Sequence, residues 1–348
     1  GGIRGETRAV TFTNTAELLA TINHLNKTIM ALKGTQHNML CELENAGRKG
    51  YLGIFDVDSF LERYSLDNME VVKSKRLTGE RALYNARNLF IDDCLFEDGE
   101  SPLKEGKNLE VHNTTFNWKY PLWYCENVIV NNTLWKPTAR SGVWYTKHLV
   151  INDSTIDAPK QFRRCDDITL NNTNISDAQE TFWGCNNIKI VNCKAKGDYF
   201  GMNSSNIDVS NFYLDGNYCF DGGSNIVIRN AVLNSKDALW NCSNVVVYDS
   251  KITGEYLAWN SKNITFINCE IESNQGLCYM DNVKLVNCKL IRTDLSFELC
   301  SNIEANITTH IDSVKNPISG HIHAKGIDEL IIDDNMVDRT KTIIEVDE

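Results

Sequence analysis

The sequence predicts an all-β fold, a right-handed single-stranded parallel β-helix, and two observations carry that expectation. The first is a column of Asn or Asp at Asp93, Asn113, Asn132, Asp153, Asn172, Asn192, Asn211, Asn230, Asp249, Asn268 and Asn287, spaced 19 to 21 residues apart. Repetition at that period marks stacked units. The second is the stretch before each member, such as Asn225-Ile226-Val227-Ile228-Arg229 or Asn263-Ile264-Thr265-Phe266-Ile267. Alternate residues there are apolar and β-branched, as a half-buried strand requires. Leucine-rich repeats have similar periods, but their leucine consensus is absent.

The elements follow in order. Asn or Asp after the first strand tolerates the left-handed backbone of a tight corner. A second short strand comes next, as in Cys269-Glu270-Ile271-Glu272, and a third stretch carries an aromatic, as in Leu257-Ala258-Trp259. Three short strands in about 20 residues leave no room for a helix, and about ten or more such coils are expected over 76–348. Asn side chains stacked at one corner can bond along the column. Each coil buries its apolar positions only against its neighbours.

An open end of the stack exposes apolar side chains and unpaired edges, so both ends need covers. Residues 1–75 fall outside the repeat and are expected to form a short helical extension, either a cap or an interaction arm. Leu18, Leu19, Ile22, Leu25, Ile29 and Leu32 give 15–33 an amphipathic helical spacing. A second short helix is expected over 58–64. Asp56-Val57-Asp58 lacks a calcium-loop pattern and reads as its N-cap. From Ser313 onward the spacing loosens, and this tail is expected to close the other end.

Composition bounds the function. The 348-residue chain carries a formal charge of −11, with Lys and Arg scattered, which disfavours a nucleic-acid partner. Its apolar runs fall far short of the ~20 residues of a membrane span. No signal-peptide order opens the sequence, so a cytoplasmic location is expected. The 12 cysteines would suggest disulfides in a secreted chain, but their positions argue otherwise. Cys165, Cys185, Cys242 and Cys300 recur at one repeat position, and Cys193, Cys269 and Cys288 at another. Recurring cysteines stack as small core residues, so reduced thiols are expected. No CxxC pair supports a metal site, and no cofactor is expected. N-x-S/T triplets such as Asn131-Asn132-Thr133 are by-products of the repeat.

Several segments carry a family resemblance. They include Gly79-Glu80-Arg81-Ala82-Leu83, Asp98-Gly99-Glu100-Ser101-Pro102-Leu103, Lys119-Tyr120-Pro121-Leu122-Trp123, Ala178-Gln179-Glu180-Thr181, Ser235-Lys236-Asp237-Ala238-Leu239-Trp240, Gly254-Glu255-Tyr256-Leu257 and Ser313-Val314-Lys315-Asn316-Pro317. Over about residues 77–330 the chain resembles a family of bacterial β-helix proteins with a pectin-lyase-like fold and no established activity. That resemblance implies a fold and no catalytic residue, since this fold hosts many functions.

The third strand supplies two columns. Leu122, Val143, Phe162, Phe182, Gly201, Phe220, Leu239, Ala258, Cys278 and Phe297 are apolar or glycine and are expected in the core. The adjacent column reads Trp123, Trp144, Arg163, Trp183, Met202, Asp221, Trp240, Trp259, Tyr279 and Glu298. Its unpaired charges would be costly inside, so it is expected outside. Lys160, Lys236 and Glu255 lie a few residues earlier in their coils, and with Trp123, Trp144, Arg163, Trp183, Trp240, Trp259, Tyr279 and Glu298 they form the candidate ligand-binding set. Large exposed aromatics in one line are unusual on a soluble chain. Flanked by charges they suit a carbohydrate, whose CH faces stack on rings while its hydroxyls bond to charged heads. The competing reading buries these aromatics under loops or the N-terminal arm.

A lyase needs a Lys or Arg base, and Lys236 and Arg163 are candidates. A glycoside hydrolase needs two carboxylates at defined separation. Asp237 with Glu255 on adjacent coils, and Glu180, are the candidates. Paired Asp, His-Gly and Arg-x-Lys signatures are missing from the central coils. Two expectations stand side by side: a carbohydrate-binding β-helix, acting as a lyase or hydrolase in one version, and a non-catalytic scaffold whose residues 1–75 mediate homo-oligomerisation or docking.

Overall fold

The computed structural model describes residues 9–11, 54–56 and 70–348. The chain is a right-handed parallel β-helix that falls into two compact units. One comprises residues up to 139 with 146–154, and the other 140–145 with 155–348. Ala9–Thr11 and Ile54–Asp56 pair antiparallel. The helices expected over 15–33 and 58–64, and the N-cap at Asp58, lie outside the described residues, as does most of the expected arm.

The coil from Ser224 to Cys242 shows how the sequence makes the fold. In the strand Ser224–Asn234 the residues Ile226, Ile228, Ala231 and Leu233 are buried, while Arg229 faces solvent. The strand bends at Asn230, where φ is +50°. After Ser235 the chain reverses through Asp237, Leu239 and Asn241, with φ of +54°, +58° and +54°. Amides of the turn bond to the coils on either side. Asp237 and Asn241 donate to the next coil, at Glu255 O and Trp259 O, and Leu239 donates back to Cys219 O. The parallel ladder thus runs through the corner as well as the strands.

A left-handed backbone costs a non-glycine residue about 1–2 kcal/mol. Two kinds of residue recur at such positions in the wall of the coil. Asn and Asp relieve it with their own side chains, and they fill two columns rather than one. Besides the expected corner column, Asn206, Asn225, Asn244, Asn263 and Asn282 stand at φ of +56° to +59° at the head of the first strand. Each amide donates to the Oδ1 of the one before it, at 3.2, 3.2, 3.1 and 2.8 Å. The other kind is bulky and apolar: Phe162, Phe182, Phe220, Leu239, Leu277 and Phe297 all have φ between +58° and +65° and are buried. Full burial of such a side chain returns about 1.5–3 kcal/mol, and Phe162 stacks on Phe182 with centroids 4.4 Å apart.

Glycine is required where backbones touch: at Gly254, φ +150°, a Cβ would collide with the carbonyl of Ser235.

The cysteines hold a second set of bonds. At one repeat position Cys125 and Thr146 in the first unit, and Cys185, Ser204, Cys242, Ser261 and Cys300 in the second, each donate from sulfur or hydroxyl to a carbonyl of the preceding coil. Cys242 N in turn donates to Ser261 Oγ at 3.0 Å. Cysteine is therefore interchangeable here with serine and threonine, as a small buried donor. All eleven described cysteines are buried, and none of them is in a disulfide. Burial pushes the Cys219 thiol up to about 11 and the Cys125 thiol up to about 12, so both stay protonated and able to donate.

At the C-terminal end the ladder continues through Gly320–Ala324 to Thr342–Val346. The expected closure is slight: in that last strand Ile343 is 61% and Val346 45% exposed. Instead, histidines hold it. His310 bonds Glu348 at 2.8 Å and Asp328 at 3.0 Å, His323 bonds Asp347 at 2.7 Å, and His321 lies 3.3 Å from Glu345.

Two substitutions probe this construction. Asn244→Ala removes both of its ladder bonds and leaves alanine in a left-handed backbone, whereas Asn244→Gly removes only the bonds. Urea unfolding should show the glycine variant more stable than the alanine variant by about 1 kcal/mol; equal midpoints would dismiss the backbone term. The second concerns pH. Hydrogen bonds to Glu348 and Asp328 raise the His310 pKa, and the bond to Asp347 raises that of His323. The folded state holds these protons more tightly. The contribution is therefore complete below the ordinary value of 6.5 and fades as pH rises through the raised values. Amides of Thr342–Val346 should be better protected from hydrogen exchange at pH 6 than at pH 8, after correction for intrinsic rates, and His323→Gln should reduce the difference.

Candidate functional site

The closing turn of each coil presents two neighbouring columns. Within the second unit one is Lys160, Glu180, Tyr199, Tyr218, Asp237 and Tyr256, all left-handed. The other is Trp144, Arg163, Trp183, Met202, Asp221, Trp240 and Trp259, all half-buried. The tryptophans thus lie at the wall's outer side, half-buried, and the indoles do not hang free. Each donates from Nε1 to the carbonyl of a residue sixteen positions later, in the next coil's turn. Trp144 reaches Lys160, Trp183 reaches Tyr199, Trp240 reaches Tyr256 and Trp259 reaches Gln275, at 2.5 to 2.8 Å. A buried indole N–H seeks such a partner, and the left-handed corner turns a carbonyl toward it.

The rings also stack along the column. The Arg163 guanidinium lies 4.3 Å from the Trp144 ring and 5.1 Å from that of Trp183. Trp240 and Trp259 are parallel within 6°, with centroids 5.2 Å apart. Tyr199 and Tyr218 stack at 4.6 Å. Trp123, in the first unit, packs against Tyr120 at 4.6 Å.

The candidate residues of the second unit fall into two groups. Arg163, Lys160 and Glu180 gather around Trp144 and Trp183, with Lys160 Nζ 3.6 Å from Glu180. Lys236, Asp237 and Glu255 gather around Trp240, Tyr256 and Trp259. Four coils separate Arg163 from Trp240, roughly 19 Å at the usual strand spacing. The five catalytic candidates therefore do not meet. Glu298 lies 3.4 Å from Lys315 and beside Tyr279.

One position needs correcting. Tyr279 does not belong to the tryptophan column; Cys278 does, and Leu277 rather than Cys278 occupies the core column. Backbone bonds from Leu277 to Leu257 and from Tyr279 to Glu298 set this register. The extra residue of that stretch is Arg292, φ +44°, which bulges from the later corner and pairs with Glu272. Tyr279 still lies beside the row, its ring 5.0 Å from that of Trp259.

Around Asp237 the sequence reading missed the walls. Asp237 interrupts a run of tyrosines, with Tyr218 one coil before and Tyr256 one coil after, and Asp221 lies diagonally across. Tyr218 N donates to Lys236 O, and Asp237 N to Glu255 O. The residue is 9% exposed, and its Oδ1 is buried without a hydrogen-bond partner. Burial pushes its pKa up; the Lys236 charge opposes this, and Glu255 and Asp221 reinforce it. The signal was legible in retrospect, as the one acid among left-handed tyrosines. Among the described residues no cluster of His, Cys, Asp or Glu is arranged to hold a metal ion, and no helix is long and apolar enough to cross a membrane.

Residues 70–345 match the model of a family described as a protein of unknown function, DUF3737. The chain belongs to the DUF3737 family. The match begins at Glu70, the first residue of the first described coil strand, Glu70–Lys73. No curated protein matches the sequence. Solved structures similar to this DUF3737 chain include the surface adhesin PfbA of Streptococcus pneumoniae, at 9% identity over 79% of this chain and 84% of that one, with a TM-score of 0.34. The catalytic domain of a GH87 α-1,3-glucanase is similar at 10% identity over 84% and 66%, TM-score 0.31. The A-module of the mannuronan C-5 epimerase AlgE6 of Azotobacter vinelandii is similar at 9% over 84% and 96%, TM-score 0.26. At these scores none carries an argument about this chain's chemistry.

Asp237 offers a test with a definite sign. Its raised pKa means that the folded state favours the protonated form. Its stabilising contribution is complete below the ordinary value of 3.8 and is lost as pH rises through the raised value. Asp237→Asn, which mimics the protonated form and suits a left-handed backbone, should raise the Tm at pH 7 and leave it unchanged at pH 3. An equal or lower Tm at pH 7 would show that the carboxylate is stabilised in the fold.

Proposed function

We propose that this protein binds a carbohydrate chain along the aromatic and charged row of its second unit. The observation that carries the reading is the fixing of the indoles. Four tryptophans are held by backbone carbonyls at 2.5 to 2.8 Å, half-exposed, in line with the coil axis, beside cationic and carboxylate heads. Rings fixed in advance lose little entropy on binding, which favours affinity from modest contacts. Coils about 4.8 Å apart let positions two coils apart meet successive units of an extended glycan. Binding fits the polar groups better than catalysis. Arg163 is clasped between two rings and Glu180 is paired with Lys160, so both are engaged in holding the surface.

A second reading, a non-catalytic scaffold, is supported by the same bonds: ring faces spent on one another are not offered to a sugar. One titration separates the two. Oligosaccharides of neutral, acidic and basic type are added while indole emission is followed. The binding reading expects a saturable change with at least one class, weakened about five-fold by Tyr279→Ala, the loss of roughly 1 kcal/mol of contact. Silence with every class would leave the scaffold.

A further inference from the structure

The niche around Asp237 differs in kind from the rest of the row. Elsewhere the left-handed column closes on itself, as Tyr199 does on Tyr218 with centroids 4.6 Å apart. At Asp237 a short side chain stands where a ring would be. Tyr218 and Tyr256 are then two coils apart, about 10 Å, with a carboxyl between them. The Trp240 indole, tied to Tyr256 O at 2.5 Å, forms the adjoining wall.

The charge here is unbalanced. The charges of Asp221 and Glu255 both reach Asp237, against the single ammonium of Lys236, so three carboxylates face one cation and the niche is left two charges negative when all are ionised. Asp221 accepts from Asn241 Nδ2 at 3.0 Å, whereas Asp237 Oδ1 is buried with no partner at all. A buried acceptor without a donor costs free energy that a ligand's N–H can return. The Lys236 ammonium, 5.8 Å from the centre of the Tyr256 ring, sits at the outer edge of cation–π range, so a cation is already tolerated against this wall.

We propose that this niche is a subsite for a protonated primary amine, so that the glycan taken along the row is one bearing amino sugars. The inference rests on the carbohydrate reading and narrows it. The ammonium enters between Tyr218 and Tyr256, meets the Asp237 carboxyl as it turns about its own Cβ–Cγ bond to bring Oδ1 outward, and is drawn by Asp221 and Glu255. Lys236, exposed and flexible, is its resident competitor. A neutral N-acetylated sugar brings no charge to the niche, and a uronate is repelled from it.

The experiment compares glucosamine oligomers with fully N-acetylated oligomers of equal length at pH 6, by indole emission and calorimetry on the full chain. The glucosamine oligomer should bind at least about ten-fold tighter, as charge-assisted bonds outweigh neutral ones, and the advantage should shrink as salt rises. Asp237→Asn should bring the two affinities within about two-fold while binding of the N-acetylated oligomer persists. Lys236→Met, which removes the competitor, should strengthen the amine preference. Equal affinities in the native protein, or a preference that survives Asp237→Asn, overturn the subsite and leave the carbohydrate reading standing. Absence of binding by every oligosaccharide overturns both.

Discussion

Each coil reverses direction on residues whose backbone is left-handed, and most of them are not glycine. The rest of the structure depends on meeting that strain. Asparagine meets it with a side chain that bonds the residue one coil away, and phenylalanine or leucine meets it by disappearing into the core. Neither solution works for an isolated coil. An asparagine needs another above it, and a buried ring needs neighbouring coils to bury it. The conformational cost is local while its compensation comes from the neighbour, so stability accrues by stacking. The same corners turn carbonyls outward, where indoles reach them.

The cysteines fit this logic. A parallel stack leaves carbonyls of the left-handed turn inside the wall, and a small donor must reach each one. Serine, threonine and cysteine share that task at one repeat position, as at Thr146, Ser204 and Cys300. Burial keeps the Cys125, Cys242 and Cys300 thiols protonated, so they act as weak donors in a place that water does not enter. Their number reflects the geometry of the wall.

The aromatic row joins fold and surface. Bonds from Trp144, Trp183, Trp240 and Trp259 to the next coil tie turns together, and the rings they hold are thereby fixed on the outside. Holding the rings still and presenting them are one act. What distinguishes positions along the row is the neighbouring left-handed column, where Tyr199 and Tyr218 close ranks and Asp237 opens a gap. Keeping an unpartnered carboxylate oxygen there costs stability.

The sequence by itself determined the solenoid. Asn and Asp at a fixed period, with alternating apolar strands between, allow no other economical way to bury the apolar residues, and the core and surface columns follow from that register. It also placed the cysteines in the core, because repetition means stacking. The ladder through Asn206, Asn225 and Asn244 was equally written in it, at the head of every strand. Only the tertiary structure decided the rest. The column position of Tyr279 turned on Arg292, one extra residue whose place in the coil no spacing specifies. That the tryptophans are tied and stacked, and that Arg163 lies between two rings, depends on side chains one coil apart meeting at particular angles. Asp237 became distinctive for the same reason: its burial, its missing partner and its tyrosine walls belong to three consecutive coils at once, and a single repeat read along the chain contains none of them.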